Sequence, residues 1–369
     1  MSLIGLIGLM GLMGLMGCSG DNGGEDTPLP VEELVPIALG GTMQDEQTVT
    51  RSSSLESTGT TTFTVYGYKN TDIDGNGTYT SYQTVFPGYA VSWQTNTAAT
   101  TTTNSQDWEY VGLPGHGGQT VKFWDWSATA YRFFGVTGTS GATVTTGTSE
   151  TTGMAEAYLT FRADASTVAT QAATPYYSHL WFSNGNPASY PDRLFGHPVQ
   201  LEFLKPFCKV RFMFIYEDPT KEDGTTLSAM SFAPTNGRPI ARSGELTVTY
   251  PLTGTATAIA ESCALTGANP GSLTALTQHY YETPADADAE YWYTVLPATG
   301  QGTYTLEVEV NGLPQSCVVP ADFMEWLPGY SYTYVFKLHV DGGVSIDAVQ
   351  SAFTSWVEGN EGSHPVYNW

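Results

Sequence analysis

Residues 304–312, YTLEVEVNG, decide the fold class. Tyr304, Leu306, Val308 and Val310 alternate with Thr305, Glu307 and Glu309. A period of two places the apolar set on one face of a strand and the polar set on the other. Asn311-Gly312 follows directly, and both residue types tolerate positive φ, so the strand should end in a tight hairpin. The same alternation recurs in YTYVFKLHV (332–340), after which Asp341-Gly342-Gly343 turns the chain into VSIDAVQSAFTSW. It returns in TFTVYGY (62–68), AYRFFGV (130–136), EAYLTFRA (156–163), VRFMFIY (210–216), GELTVTY (244–250) and YWYTVLP (291–297). Short strands separated by turn signals predict β-sandwiches. Helical periodicity is weak throughout. Its best case, IDAVQSAFTSW (346–356), reads equally as a strand with a bulge. Val210, Phe212, Phe214, Leu306, Val308, Phe336 and Leu338 are expected in one C-terminal core.

Composition supports an all-β chain. Thr, Tyr, Val and Phe suit pleated, half-buried surfaces, and Gly, Pro and Asn suit turns. The chain has 369 residues, of which about 340 remain once an N-terminal leader and tether are set aside, enough for two ordinary domains. Net charge is −23, from 13 basic and 36 acidic residues. That balance excludes a nucleic-acid role, because binding phosphate needs a basic face. The boundary between two domains is expected within SNGNPASYPDRLFGHP (183–198), giving an N-terminal sandwich over 34–190 and a C-terminal one over 191–369. QTNTAATTTTNSQ (94–106) and residues 135–153 read as exposed loops or long hairpin tips.

The N-terminus is GLIGLMGLMGLMGCSGDNGGEDT from Gly5 onward, with Gly at every third position up to Gly17. Collagen shares the period but needs Pro-rich intervening positions and many more repeats. As a helix, the apolar stretch 2–17 is ~24 Å long at ~1.5 Å per residue, short of the ~30 Å hydrocarbon core. It reads as a secretion signal over 1–17. Leu15-Met16-Gly17-Cys18 resembles a bacterial lipobox, which implies cleavage before Cys18 and lipid on that residue. The polar, acidic run that follows suits a flexible tether over 18–33.

Candidate chemistry is sparse. DIDGNGTYTSYQ (72–83) places Asp72, Asp74 and Asn76 at positions 1, 3 and 5 of a calcium loop, but Gln83 stands where a bidentate Glu belongs. A hairpin tip explains the same residues better. The six His are scattered, with no HExxH, so a catalytic zinc site is not expected. No G-x-S-x-G occurs. Trp124 and Trp126 in KFWDW could stack on a sugar ring or plug a core. Beyond Cys18, three cysteines remain, Cys208, Cys263 and Cys317, with no CxxC pair, and they read as small buried hydrophobes. No cofactor is expected.

Several segments in order resemble the fimbrillins, the type V pilus subunits and related surface lipoproteins of anaerobic oral and gut bacteria. They are the lipobox, VPIALGG (35–41), TVTRSSS (48–54), TFTVYGY, the aromatic run from WEYVG to AYRFFGV, HPVQLEFLKPFCKVRFMFIY (197–216), EYWYTVLP and the last strand pair. The resemblance implies two tandem transthyretin-like β-sandwiches and no enzyme activity. It implies a fimbrial subunit for surface adhesion, exported as a lipoprotein to the outer membrane and held there through lipid on Cys18. A trypsin-like protease then cuts after Arg51. The strand around Ile37 and Leu39 departs, and a donor strand from another pilus subunit fills its place. The C-terminal tail GNEGSHPVYNW (359–369), with Val366, Tyr367 and Trp369 to dock, is the candidate donor. Two rivals remain: a lipid-anchored glycan-binding protein that never polymerises, and a β-sandwich enzyme with paired carboxylates. A host or glycan ligand is compatible with the first two readings.

Overall fold

The computed structural model describes residues 34–43, 55, 59–94, 107–138, 141–218, 225–235, 240–255, 260–266, 273–274, 292–297 and 302–353. The chain divides into Met1–Leu34 and Val35–Trp369, and Leu34 is the one described residue of the first unit.

The second unit is built almost wholly of strands. In chain order they are β1 (Leu39–Met43), β2 (Thr62–Asn70), β3 (Thr78–Tyr79), β4 (Gln83–Trp93), β5 (Trp108–Glu109), β6 (Ala130–Thr137), β7 (Thr143–Thr148) and β8 (Ala155–Asp164). A short helix, α1 (Val168–Ala173), follows, opened by a Thr167–Thr170 capping box. Next come β9 (Tyr177–Ser178), β10 (Trp181–Ser183), β11 (Val199–Leu204), β12 (Cys208–Tyr216), β13 (Leu227–Pro234), β14 (Ser243–Pro251) and β15 (Gly254–Thr255). The last are β16 (Ser262–Thr266), β17 (Leu273–Thr274), β18 (Tyr293–Val295), β19 (Tyr304–Val310), β20 (Leu313–Val319), β21 (Tyr330–Leu338) and β22 (Val344–Phe353).

Two sandwich-like arrangements result. In the first, an eight-stranded sheet runs β1-β11-β9-β6-β2-β4-β5, with β10 also on β6, and a four-stranded sheet runs β16-β14-β8-β7. Tyr68, Phe134 and Val136 of the larger sheet meet Leu159, Phe161, Leu246, Val248 and Tyr250 of the smaller one. Phe134 stacks on Tyr250 with ring centroids 3.9 Å apart, and the Tyr250 hydroxyl donates to the Ser178 carbonyl at 2.8 Å. The opposite face of the larger sheet is also apolar. Phe63, Val65, Phe133, Leu201 and Phe203 there join Trp108, Tyr110 and Trp124 in a second cluster. Covered on both faces, β6 is buried at all its positions.

The other arrangement pairs sheet β18-β12-β21-β22 with sheet β17-β13-β19-β20. Its core holds Val210, Phe212, Phe214, Leu306, Val308, Phe336 and Leu338 together, as the alternation predicts. Asn311 and Gly312 have φ of 53° and 75°, and Val310 faces Leu313 across the two-residue turn. Residues 344–353 form a strand whose pairing with β21 carries a register shift at Val335/Phe336, which decides between the helix and bulged-strand readings.

Strand pairing crosses the boundary expected at 190/191. β11 lies beside β1 and β9, and β14 pairs with β8 from Ser243↔Asp164 to Pro251↔Glu156. The chain therefore enters the second arrangement at β12 and β13, returns to the first for β14 and β16, with β15 between them paired to β3 in a two-stranded sheet, and enters the second again.

One buried charge stands apart. Arg132 on β6 is fully buried, its guanidinium 5.0 Å from the ring centroids of both Tyr79 and Phe182. Among the described residues, none of its three side-chain nitrogens has a hydrogen-bond partner, and burial pushes its pKa down to about 10.

Candidate functional site

The site is the seat of the first strand, residues 35–43. Its N-terminal part lies antiparallel to residues 122–124. The Ile37 amide donates to the Lys122 carbonyl at 2.7 Å, and the Trp124 amide donates to the Val35 carbonyl at 2.8 Å. Pro36 sits between these two bonds, opposite Phe123, where its missing N–H removes nothing the pairing uses. The chain then passes to the other neighbour. Leu39–Met43 run parallel to Val199–Phe203 at the end of the larger sheet, so among the described residues β1 has a single partner strand there.

The side chains explain why so short a strand stays in place. Ile37 and Leu39 are fully buried and Met43 nearly so, all in the cluster with Trp108 and Trp124. Burying each such side chain stabilises by about 1.5–3 kcal/mol. Tyr110 adds a polar clamp. Its hydroxyl donates to the Ile37 carbonyl at 3.0 Å and accepts from the Lys122 amide at 3.2 Å, bridging the strand to its neighbour. Burial pushes this phenol up to about 12. Phe86, 5.3 Å away edge-on, fixes the ring.

Two glycines set the fit. A Cβ on Gly41 would lie 3.1 Å from Leu55, 3.2 Å from Phe203 and 3.4 Å from Phe63. A Cβ on Gly40 would strike the end of the Gln200 side chain. Leu55 is fully buried in the same cluster. The expected cleavage point therefore lies between two buried anchors, Met43 before it and Leu55 after it.

Of the residues singled out from sequence, Ile37 and Leu39 meet in this seat. Cys18, Arg51, Val366, Tyr367 and Trp369 lie outside the described residues. Asp72, Asp74 and Asn76 form a turn leading into β3. Asp74 accepts from the Asn76 and Thr78 amides at 2.9 and 2.8 Å, chiefly the latter holding its carboxyl below the ordinary range. Asp72 accepts from the Ser81 hydroxyl at 2.8 Å. Among the described residues, no cluster of three or more His, Cys, Asp and Glu side chains is placed to share a metal ion. Trp124 is buried against Phe195 and Tyr131, while Trp126 is 45% exposed over Gly196. Cys208, Cys263 and Cys317 are free thiols, Cys208 and Cys317 buried. A cleft of about 300 Å³ beside β2 and β4 is lined by Phe63, Val91, Gln94, Leu113 and His116 among others, with no Asp or Glu among the described residues of its wall.

Tyr110, Leu55 and the Gly40-Gly41 pair escaped sequence reasoning. The glycines carried a readable signal, since glycine inside a strand marks a close backbone approach. Tyr110 and Leu55 carried none, because their contacts are made far along the chain.

No family model matches this chain, and neither does any curated protein. Solved structures do resemble it. One, described as a candidate cell adhesion protein from Bacteroides uniformis, is 14% identical, with a TM-score of 0.38, covering 89% of this chain and 100% of its own. A second of the same description, from Bacteroides ovatus, is 14% identical at a TM-score of 0.41, covering 88% and 99%. A fimbrial protein from Bacteroides vulgatus is 13% identical at a TM-score of 0.40, covering 86% and 99%. Over most of its length, this chain is similar to Bacteroides proteins described as fimbrial or as candidates for cell adhesion.

Proposed function

We propose that this protein is a structural fimbrial subunit assembled by strand exchange at the bacterial surface. The precursor is a lipoprotein held at the outer membrane through Cys18. A trypsin-like protease cuts after Arg51 and frees residues 34–51. A donor strand from another subunit then takes the place of residues 35–43, adding its backbone to the open edge of β11 and its side chains to the vacated apolar seat. The subunit does no chemistry of its own; its work is mechanical.

The observation that carries this reading is the seat itself. Ile37 and Leu39 are fully buried, yet their strand is terminal in its sheet, with one partner along β1. Leu55 is buried in the same cluster, so the chain that begins after a cut at Arg51 keeps a hold on the core.

The test uses precursor lacking residues 1–18, treated with trypsin and run on gels without boiling. With a pilus subunit that supplies the donor strand added, SDS-resistant ladders are expected, and Arg51→Ala should abolish them. Cleavage at Arg51 that yields only stable monomers would sink the proposal. One observation favours the non-polymerising glycan-binding reading instead, the exposed Trp126 indole. On that reading, binding to a glycan array would depend on Trp126 and survive Arg51→Ala.

A further inference from the structure

We infer that the seat of the first strand selects its occupant by size at the Gly41 position, and that it admits a strand of pattern apolar–x–apolar–small–Gly–x–apolar running parallel to β11. The inference rests on the strand-exchange reading above and names the partner that reading requires.

The pattern follows from the walls. The positions of Ile37, Leu39 and Met43 are apolar pockets in one cluster. Between the last two, Gly41 lies under Leu55 and Phe203 at distances where an added Cβ is already tight, with Phe63 at the edge of ordinary contact. These side chains have little room to retreat. Leu55 and Phe203 are fully buried, and Phe63 is wedged between Trp108 at 5.0 Å and Phe203 at 5.2 Å. A dense core resists even one added methylene, so a branched side chain at this position would have to displace packed rings. Gly40 is a softer constraint, because the atoms a Cβ would meet are the far end of the half-buried, flexible Gln200. Alanine or serine there requires only that Gln200 swing aside.

Direction is set as well. Leu39 to Met43 run parallel to Val199 to Phe203 in continuous register. A strand entering in that direction meets the pockets in the order written. The chain's own tail, GNEGSHPVYNW (359–369), does not comply. Setting Trp369 in the Met43 pocket puts Tyr367 on the Gly41 position. Setting Tyr367 there puts Pro365 on it. Setting Tyr367 in the Leu39 pocket puts Trp369 on it. The occupant is therefore a segment of another pilus subunit that carries the pattern, rather than residues 359–369 of a second copy.

The experiment has two arms. In the first, trypsin-cut precursor is mixed with fluorescent peptides and entry is followed by anisotropy. The peptides are LVPIALGGTM, its Gly40→Ala and Gly41→Val forms, and GNEGSHPVYNW. The parent and Gly40→Ala peptides should enter with affinities within about tenfold of one another, Gly41→Val at least 100-fold more weakly, and the tail peptide no better than Gly41→Val. Equal entry of Gly41→Val and parent, or entry of the tail peptide at parent affinity, overturns the inference. In the second arm, the intact precursor carries Gly41→Val, Leu55→Ala or both. The double variant should melt higher than the sum of the two single losses predicts, because Leu55→Ala makes room for the valine. Simple additivity overturns the steric gate. If the cycle shows coupling but no peptide enters the cut protein, strand exchange itself is refuted and the partner rule falls with it.

Discussion

Tyr110→Phe isolates the polar clamp on the first strand. The substitution removes one hydroxyl and keeps the ring against Phe86 and Tyr89. The Ile37 carbonyl then loses the donor at 3.0 Å, and the Lys122 amide loses its acceptor at 3.2 Å. Lys122 is only partly buried and recovers water, whereas fully buried Ile37 does not. Leaving one buried carbonyl unsatisfied costs about 1–3 kcal/mol. At ~1.4 kcal/mol per factor of ten, the docked strand should open roughly 5- to 100-fold more often. Hydrogen exchange on the uncut precursor, read by mass spectrometry, reports this directly. Protection of residues 35–43 should fall by that factor, while that of Tyr330–Leu338 stays unchanged. The pH dependence has a definite sign. The docked phenol titrates near 12, the released one near 10, so the released form loses its proton first. The contribution of Tyr110 is therefore complete below pH 10 and disappears as pH rises through 12. The Phe variant should lack this component. Unchanged protection at 35–43, or an equal loss across the molecule, would refute the clamp.

Three further outcomes are expected. Arg132→Met should stabilise the protein by about 1–2 kcal/mol in urea unfolding. The fall in pKa from 12.5 to about 10 corresponds to ~3 kcal/mol against the buried charge, partly offset by cation–π attraction to two rings, and marked destabilisation would reveal a partner that the guanidinium needs. Phe336→Ala should cost roughly 3–5 kcal/mol, since Phe336 is fully buried between Phe212 and Phe214; an unaltered melting temperature rules this out. Asp125→Asn should lower stability at pH 7 by about 0.5–1 kcal/mol, a figure discounted because the carboxylate is a third exposed. Lys69 and then Ser127 hold that carboxyl down to about 2, so the difference is complete above 3.8 and vanishes as pH falls towards 2. A difference independent of pH would show that the ion pair is not its source.

Much of the architecture was legible because a strand's faces are a local property. Alternation at 304–310 and 332–338 assigned Leu306, Val308, Phe336 and Leu338 to one core, and they meet there. Asn311-Gly312 fixed its hairpin because left-handed φ is a requirement of those two residues alone. Ile37 and Leu39 were placed in one strand by the fimbrillin resemblance of VPIALGG rather than by alternation, and both are fully buried.

Which strand lies beside which is not local. Leu246, Val248 and Tyr250 alternate as any half-buried strand does, and nothing in that period says that β14 returns to β8 across the expected boundary at 190/191. Only the mutual fit of Phe134, Phe161 and Tyr250 selects that partner. The parallel pairing of Leu39–Met43 with Val199–Phe203 joins segments about 160 residues apart, and the pattern of each is compatible with many others. The seat follows the same rule. The resemblance of VPIALGG pointed to an apolar strand over residues 34–40, whereas the strand formed is Leu39–Met43, with Pro36 in an isolated bridge to Phe123 before it. Tertiary structure alone brought Leu55, Phe63 and Phe203 over Gly41 and Tyr110 onto the Ile37 carbonyl, because steric exclusion and a hydrogen bond exist only between groups that the folded chain has already placed together.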